Sequence, residues 1–244
     1  MKKLSTLLSI LLVLIFILEV PAQDKVTKKR IEQEKKTFAL ARKYMDVGVM
    51  QNALIRIIAA EGEHSVYKDT LAALYHQTGQ FLSLLPLAEE LHQQQPKNET
   101  YLYYKALALE KTNRLKEAVD VYQQLFDLNQ KVETGYHLGK LQYAMKRPAE
   151  AYVTFNRLNP DAFKKGDFDL LPAGQNKSQK VPVKAAYFYY LGMTAYDLHN
   201  HEMALKFFEK ALEVFPDFIL AKQNKQALEI SLNQKKTKPD KPQN

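Results

Sequence analysis

One helical spacing recurs five times along this chain of 244 residues: a small or aliphatic residue, usually a larger one four positions on, then a small or aliphatic one three beyond. The openings stand at Ala53, Leu84, Ala118, Ala151 and Ala204. Ile57, Ala88, Tyr122, Phe155 and Phe208 follow them, and then Ala60, Leu91, Leu125, Leu158 and Ala211. Offsets of four and three put all three residues on one side of an α-helix. Successive openings lie 31, 34, 33 and 53 residues apart, so similar units follow one another. A single helix cannot bury such a stripe; each must close on the helix before it and on the next unit. The chain is therefore expected to be all-α, with one core running through stacked pairs.

The turns agree with this reading. Five residues before the first three openings come Gly48, Gly79 and Asn113, types that tolerate the left-handed backbone ending a helix. The fourth unit has Lys146-Arg147-Pro148 there and the fifth His199-Asn200, so these two turns are expected to be built differently. Pro96 and Pro216 close the second and fifth units.

The clearest unit carries Phe188, Leu191, Gly192, Ala204, Phe208, Ala211 and Pro216. This register resembles the tetratricopeptide repeat, about 34 residues in which helix A bears a large residue before Leu-Gly and helix B bears Ala-x3-Phe-x2-Ala. The resemblance covers roughly Glu32 to Ala211, although the first unit lacks the Leu-Gly pair. It implies a right-handed superhelical α-solenoid of about five repeats over residues 32–216, with A helices lining a concave groove that binds protein or peptide partners. Chaperone-binding members of the family grip a C-terminal carboxylate with Lys, Asn and Arg on that side. Here those places hold Phe38, Asp69, Tyr103, Arg42 and Ala73, so that clamp is not implied.

Residues at i, i+4 and i+7 on each A helix share the groove side. Applied along the chain, this gives Phe38, Arg42 and Met45, then Asp69, Ala73 and His76, then Tyr103, Leu107 and Glu110. The last two units contribute Tyr136, Lys140, Tyr143 and Tyr189, Met193, Tyr196. Tyrosine joins a large apolar body to a polar tip, which suits capture of an extended peptide or a helix. The candidate partner-binding set is accordingly Tyr103, Tyr136, Lys140, Tyr143, Tyr189, Met193 and Tyr196. The same rings would serve equally well to pack against a neighbouring helix.

The N-terminus begins Met1-Lys2-Lys3, continues through an apolar run from Leu7 to Leu18 broken only by Ser9, and reaches Val20-Pro21-Ala22. A basic start, a short apolar run and small residues make a secretory signal peptide over 1–22, with cleavage after Ala22. The run is shorter than the ~20 residues a spanning helix needs. With no cysteine in the chain, an exported product, periplasmic or secreted, would hold together by packing without disulfides.

Net charge is +8, but its location decides its meaning. Residues 23–43 carry +5, residues 232–244 carry +3 and the leader +1, which leaves the body at −1. A nucleic-acid groove would want Lys and Arg among aromatics on the repeat surface itself; no nucleic-acid partner is expected. The basic ends, a linker at 23–31 and a disordered tail at 232–244, fit either solvated segments or contact with an anionic envelope surface. That contact supports an alternative role as an envelope-tethered spacer.

Residues 160–184 interrupt the periodicity with Gly166, Pro172, Gly174 and Pro182 and are expected to form an inserted loop. Phe168 to Leu171 should lie on a helix face, Gln175 to Lys180 should stay mobile, and the insertion could fold back to fill the groove. Its aspartates, Asp161, Asp167 and Asp169, lack the Asp-x-Asp-x-Asp-Gly run of a calcium loop. His199-Asn200-His201-Glu202 reads as turn composition more readily than as a metal site. No hydrolase or phosphate-loop motif is present. A non-catalytic scaffold without cofactor or metal is the expectation, with residues 217–231 as a capping helix.

Overall fold

The computed structural model describes residues 24–173 and 177–237. Its elements fall into two compact units, one ending at Pro96 and one starting at Lys97. The first holds α1 (residues 24–43), α2 (Val47–Glu61), α3 (Tyr67–Gln77) and α4 (Phe81–Gln94). The second holds α5 (Glu99–Lys111), α6 (Leu115–Asn129), α7 (Val132–Ala144) and α8 (Pro148–Asn156). A 3-10 turn at Pro160–Ala162 leads to β1 (Phe168–Pro172) and β2 (Ser178–Pro182), after which come α9 (Val183–Asp197), α10 (His201–Val214) and α11 (Ile219–Thr237). The basic stretch expected as a linker is helical from residue 24. Helix α11 runs on to Thr237, into the expected tail. The leader and residues 238–244 lie outside the described residues.

All five A-to-B turns share one construction. Met45, Gly79, Asn113, Lys146 and His199 take left-handed backbone, with φ of 57°, 69°, 63°, 61° and 62°. In each case the next amide reaches back five residues to a carbonyl: Asp46 to Ala41, Gln80 to Tyr75, Arg114 to Leu109, Arg147 to Gln142 and Asn200 to Ala195, all at 2.8–3.0 Å. This 6→1 bond is the Schellman closure of a helix. Two expectations are thereby corrected. The Lys146 and His199 turns are built like the others, with a non-glycine residue absorbing the left-handed conformation. In the first unit the turn residue is Met45, while Gly48 lies inside α2.

Moving that turn moves the register. Counting five residues from each left-handed position gives Met50, Leu84, Ala118, Ala151 and Ala204 as the openings of the B helices. The first interval is then 34 residues instead of 31. Met50, Leu54 and Ile57 are all buried, as that register requires, and Ala53 is buried beside them.

Packing within the last two pairs rests on an A-helix glycine under a B-helix phenylalanine. A Cβ added at Gly139 would stand 2.6 Å from the Phe155 ring, and one at Gly192 2.5 Å from the Phe208 ring. Both rings are buried to 1% exposure or less. Equivalent positions hold Ala72 with Ala88 and Ala106 with Tyr122, all buried. Each ring thus sits where a backbone face offers no side chain, which brings the two helices close enough to exclude water.

The insertion is a β-hairpin. Strands β1 and β2 pair antiparallel, with Asp169 opposite Val181, Leu170 opposite Lys180 and Leu171 opposite Gln179. Cross-strand partners share a face, so Asp169, Leu171, Gln179 and Val181 point one way, and Phe168, Leu170 and Lys180 the other. Leu171 and Val181 are buried, while Phe168 and Leu170 are exposed. Ser178, Gln179 and Lys180, expected to be mobile, belong to a paired strand; residues 174–176 lie outside the described residues.

Left-handed backbone at a residue bearing a Cβ costs on the order of 1 kcal/mol. His199→Gly and Lys146→Gly should each stabilise the protein by up to about 1 kcal/mol, and Gly192→Ala should destabilise it by roughly 1–3 kcal/mol through the clash with Phe208. Urea denaturation of the three variants checks both signs.

Candidate functional site

In the second unit the A helices α5, α7 and α9, followed by α11, are linked side by side through their polar and aromatic residues. Helix α5 meets α7 where the Glu110 carboxylate holds His137 Nε2 at 2.5 Å and accepts from the Tyr122 hydroxyl at 3.2 Å. Helix α7 meets α9 through Tyr190, whose ring lies 6.2 Å from Tyr136 and 5.9 Å from Tyr143. Helix α9 meets α11 where Asn224 donates to the Tyr189 hydroxyl at 3.1 Å and touches Met193 Sδ at 3.3 Å.

Five of the seven candidate residues lie within this arrangement. Tyr136 and Tyr189 are buried, Tyr143 and Met193 half-buried. Lys140 sits 5.2 Å above the Tyr136 ring and 5.8 Å above Tyr190. Tyr103 and Tyr196, 40% and 45% exposed, remain open to solvent at opposite sides of the cluster.

What covers the middle of the wall is the hairpin. The Tyr136 hydroxyl donates to Asp169 Oδ2 at 2.8 Å, and the Lys140 ammonium pairs with the same oxygen. At the other end the Gln179 side chain donates to the Asp217 carbonyl at 2.6 Å and accepts from the Ile219 amide at 3.0 Å. The inward face of the hairpin therefore runs from α7 to the start of α11. Phe163, just before it, sets its ring 5.6 Å from both Tyr136 and Tyr187. Tyr190 and Asp169 complete the site, and spacing alone does not mark either one. Tyr190 is adjacent to a groove position, and Asp169 is 33 residues from the tyrosine it binds.

The electrostatics follow from this burial. Burial first, then the Asp169 charge, pushes the Tyr136 phenol well above its usual range. Burial likewise raises Tyr143, Tyr189 and Tyr190, so the cluster stays neutral and hydrogen-bonds through O–H. Burial pushes Glu110 upward too, but the His137 hydrogen bond and charge, aided by Lys111 and Tyr122, outweigh it and lower the carboxyl to about 2.

Two hollows flank the hairpin-covered strip. A depression of about 490 Å³ lies between α7 and the hairpin base, lined by Glu133, Tyr136, His137, Phe163 and Phe168 among others. An apolar cleft of about 160 Å³ lies among α9, α10 and α11, lined by Met193, Tyr196, Phe208, Ala227 and Leu228 with Asn224 on its wall. Among the described residues, no three His, Cys, Asp or Glu side chains are grouped to hold a metal ion.

The comparisons with known proteins agree with this architecture. Sequence models of the tetratricopeptide repeat match residues 185–218 and residues 100–129. The chain carries tetratricopeptide repeats in an all-α array of consecutive helical pairs. No curated protein matches its sequence. Among solved structures it is similar to YrrB, described as a TPR protein with an unusual peptide-binding site: TM-score 0.60 at 19% identity, covering 82% of this chain and 97% of that one. The MamA protein gives TM-score 0.59 at 15% identity, covering 75% of this chain and 91% of that one. A tetratricopeptide repeat protein from Parabacteroides merdae ATCC 43184 gives 0.59 at 13% identity, covering 84% of this chain and 75% of that one. At these identities the likeness establishes the fold.

Because Glu110 titrates lower in the folded protein than its usual 4.5, its contribution to stability is complete above that value and is lost as pH falls toward about 2. Glu110→Gln should therefore flatten the decline of stability between those pH values, measured as urea midpoints across the range.

Proposed function

We propose that the protein is an exported, non-catalytic adaptor that holds a protein or peptide partner on the A-helix wall of its second unit. One observation carries the reading: this wall already seats an extended chain segment, the hairpin, by side-chain hydrogen bonds and apolar contact. A surface that orders one extended strand has the chemistry to order another. Tyr103 on one side and Tyr196 on the other extend the wall beyond the hairpin, and the cleft beside Tyr196 has room for an apolar side chain of a partner. Export rests on the leader, with its basic start, Leu7–Leu18 run and Val20-Pro21-Ala22.

Full-length protein used as bait in envelope extract should recover a partner that the Tyr103→Ala/Tyr196→Ala variant recovers at least about five-fold less well, since truncating a central interface aromatic typically costs more than ~1 kcal/mol. Equal recovery by both would remove these rings from the interface. N-terminal sequencing of the protein purified from cells should begin at Gln23; a chain that retains Met1 would contradict cleavage of the leader.

A further inference from the structure

The hairpin holds its place by a few attachments, one of them a carboxylate. On the inward face, Asp169 meets Lys140 and Tyr136 on α7, and Gln179 meets the backbone at the start of α11. Between them only Leu171 and Val181 supply buried apolar surface. The outward face is in solvent, with Phe168 47% and Leu170 70% exposed. A two-stranded hairpin is marginal without a partner surface, so this one depends on those few attachments. Segments with so little buried area open at lower free energy than the helical core beneath them.

The receiving side, in contrast, is specific. Lys140 is fixed over the Tyr136 and Tyr190 rings, and its ammonium and the Tyr136 O–H converge on a single oxygen, Asp169 Oδ2. A half-buried cation beside a neutral phenol donor calls for an anion; with the carboxylate gone, both donors would lose their partner in a partly desolvated place. The nearby acids do not answer this need. Glu110 is engaged by His137, Glu133 reaches toward Lys164 at 3.9 Å, and Asp197 acts on Tyr143.

From this we infer that the hairpin is a built-in substitute for the partner: the wall of α7 and α9 accepts an extended acidic segment of another protein, whose carboxylate replaces Asp169 on Lys140 and Tyr136 and displaces β1. The segment it fits has the pattern of β1, a carboxylate followed two residues later by an aliphatic side chain on the same face, as in Asp169 and Leu171. The inference rests on the adaptor reading and adds to it the chemistry of the ligand and an internal competitor.

The test uses the full chain and a fluorescein-labelled peptide copying residues 167–172, Asp-Phe-Asp-Leu-Leu-Pro. Asp169→Ala protein should bind it at least about ten-fold more tightly than the unmodified protein, in which the internal carboxylate competes. Replacing the central Asp of the peptide with Asn, or adding Lys140→Met to the protein, should abolish the gain. In the unmodified protein, excess peptide should speed hydrogen exchange at the Leu171 and Val181 amides, which lie in the bonded pairs of the ladder, and leave α7 unchanged, a reading that needs no variant to fold. The inference is overturned if neither protein binds, if both bind equally, if the Asn peptide binds as well, or if exchange in the hairpin is unmoved at saturating peptide. Hairpin exchange of one copy that changes only with protein concentration would assign the wall to a second copy and would also overturn it. Partner recovery through Tyr103 and Tyr196 does not involve Asp169, so a failure of this inference and a failure of the adaptor reading give different results.

Discussion

A phenylalanine ring resting on a glycine backbone sets the geometry from which the candidate site follows. Phe155 over Gly139 and Phe208 over Gly192 draw α8 onto α7 and α10 onto α9. The Phe155 ring, 6.2 Å from both Tyr136 and Tyr190, joins the core to the cluster where α7 and α9 meet across Tyr136, Tyr143 and Tyr190. That order of packing decides which residues are structural and which are available. The B helices use their apolar stripe for the core, and the A helices keep a second side that carries aromatic and charged groups.

Much of this organisation is local and so was legible in the sequence. Small and large residues at offsets of four and three follow from helix geometry, and the A-helix face follows from the same arithmetic. The misplaced first register has a physical cause. Ala53 and Ile57 reproduce the spacing three residues late, and both are buried, so burial pattern alone cannot separate the two alignments. Only the left-handed residue does, and at Met45, Lys146 and His199 the side chain gives no sign of it, because the 6→1 hydrogen bond and the docked helices impose the conformation.

The hairpin marks the limit of local reading. Composition identified an interruption, but of Phe168 to Leu171, expected on a helix face, Phe168 and Leu170 turn to solvent. The residue that matters most, Asp169, was one of three aspartates with nothing to distinguish it. Its role comes from a contact 33 residues away and from strand alternation, which aims Asp169 and Gln179 at α7 and α11 while turning Lys180 outward over the Phe168 ring at 4.2 Å. Tyr136 and Tyr143 flank the Tyr190 ring, while Tyr189 turns toward Phe208, Phe218 and Asn224. Whether the groove side was covered depended on the pairing register of an insertion whose strands have no strong sequence signature.

The account as a whole depends on Asp169 and Lys140 interacting with each other and not merely lying close. A double-mutant cycle on stability, combining Asp169→Ala with Lys140→Ala, measures that directly. Direct coupling predicts a non-additive interaction energy on the order of 1 kcal/mol that weakens as salt is raised. Additive effects at every ionic strength would mean that the hairpin is held by Gln179 and its apolar residues without the ion pair, and that Lys140 has no preference for a carboxylate.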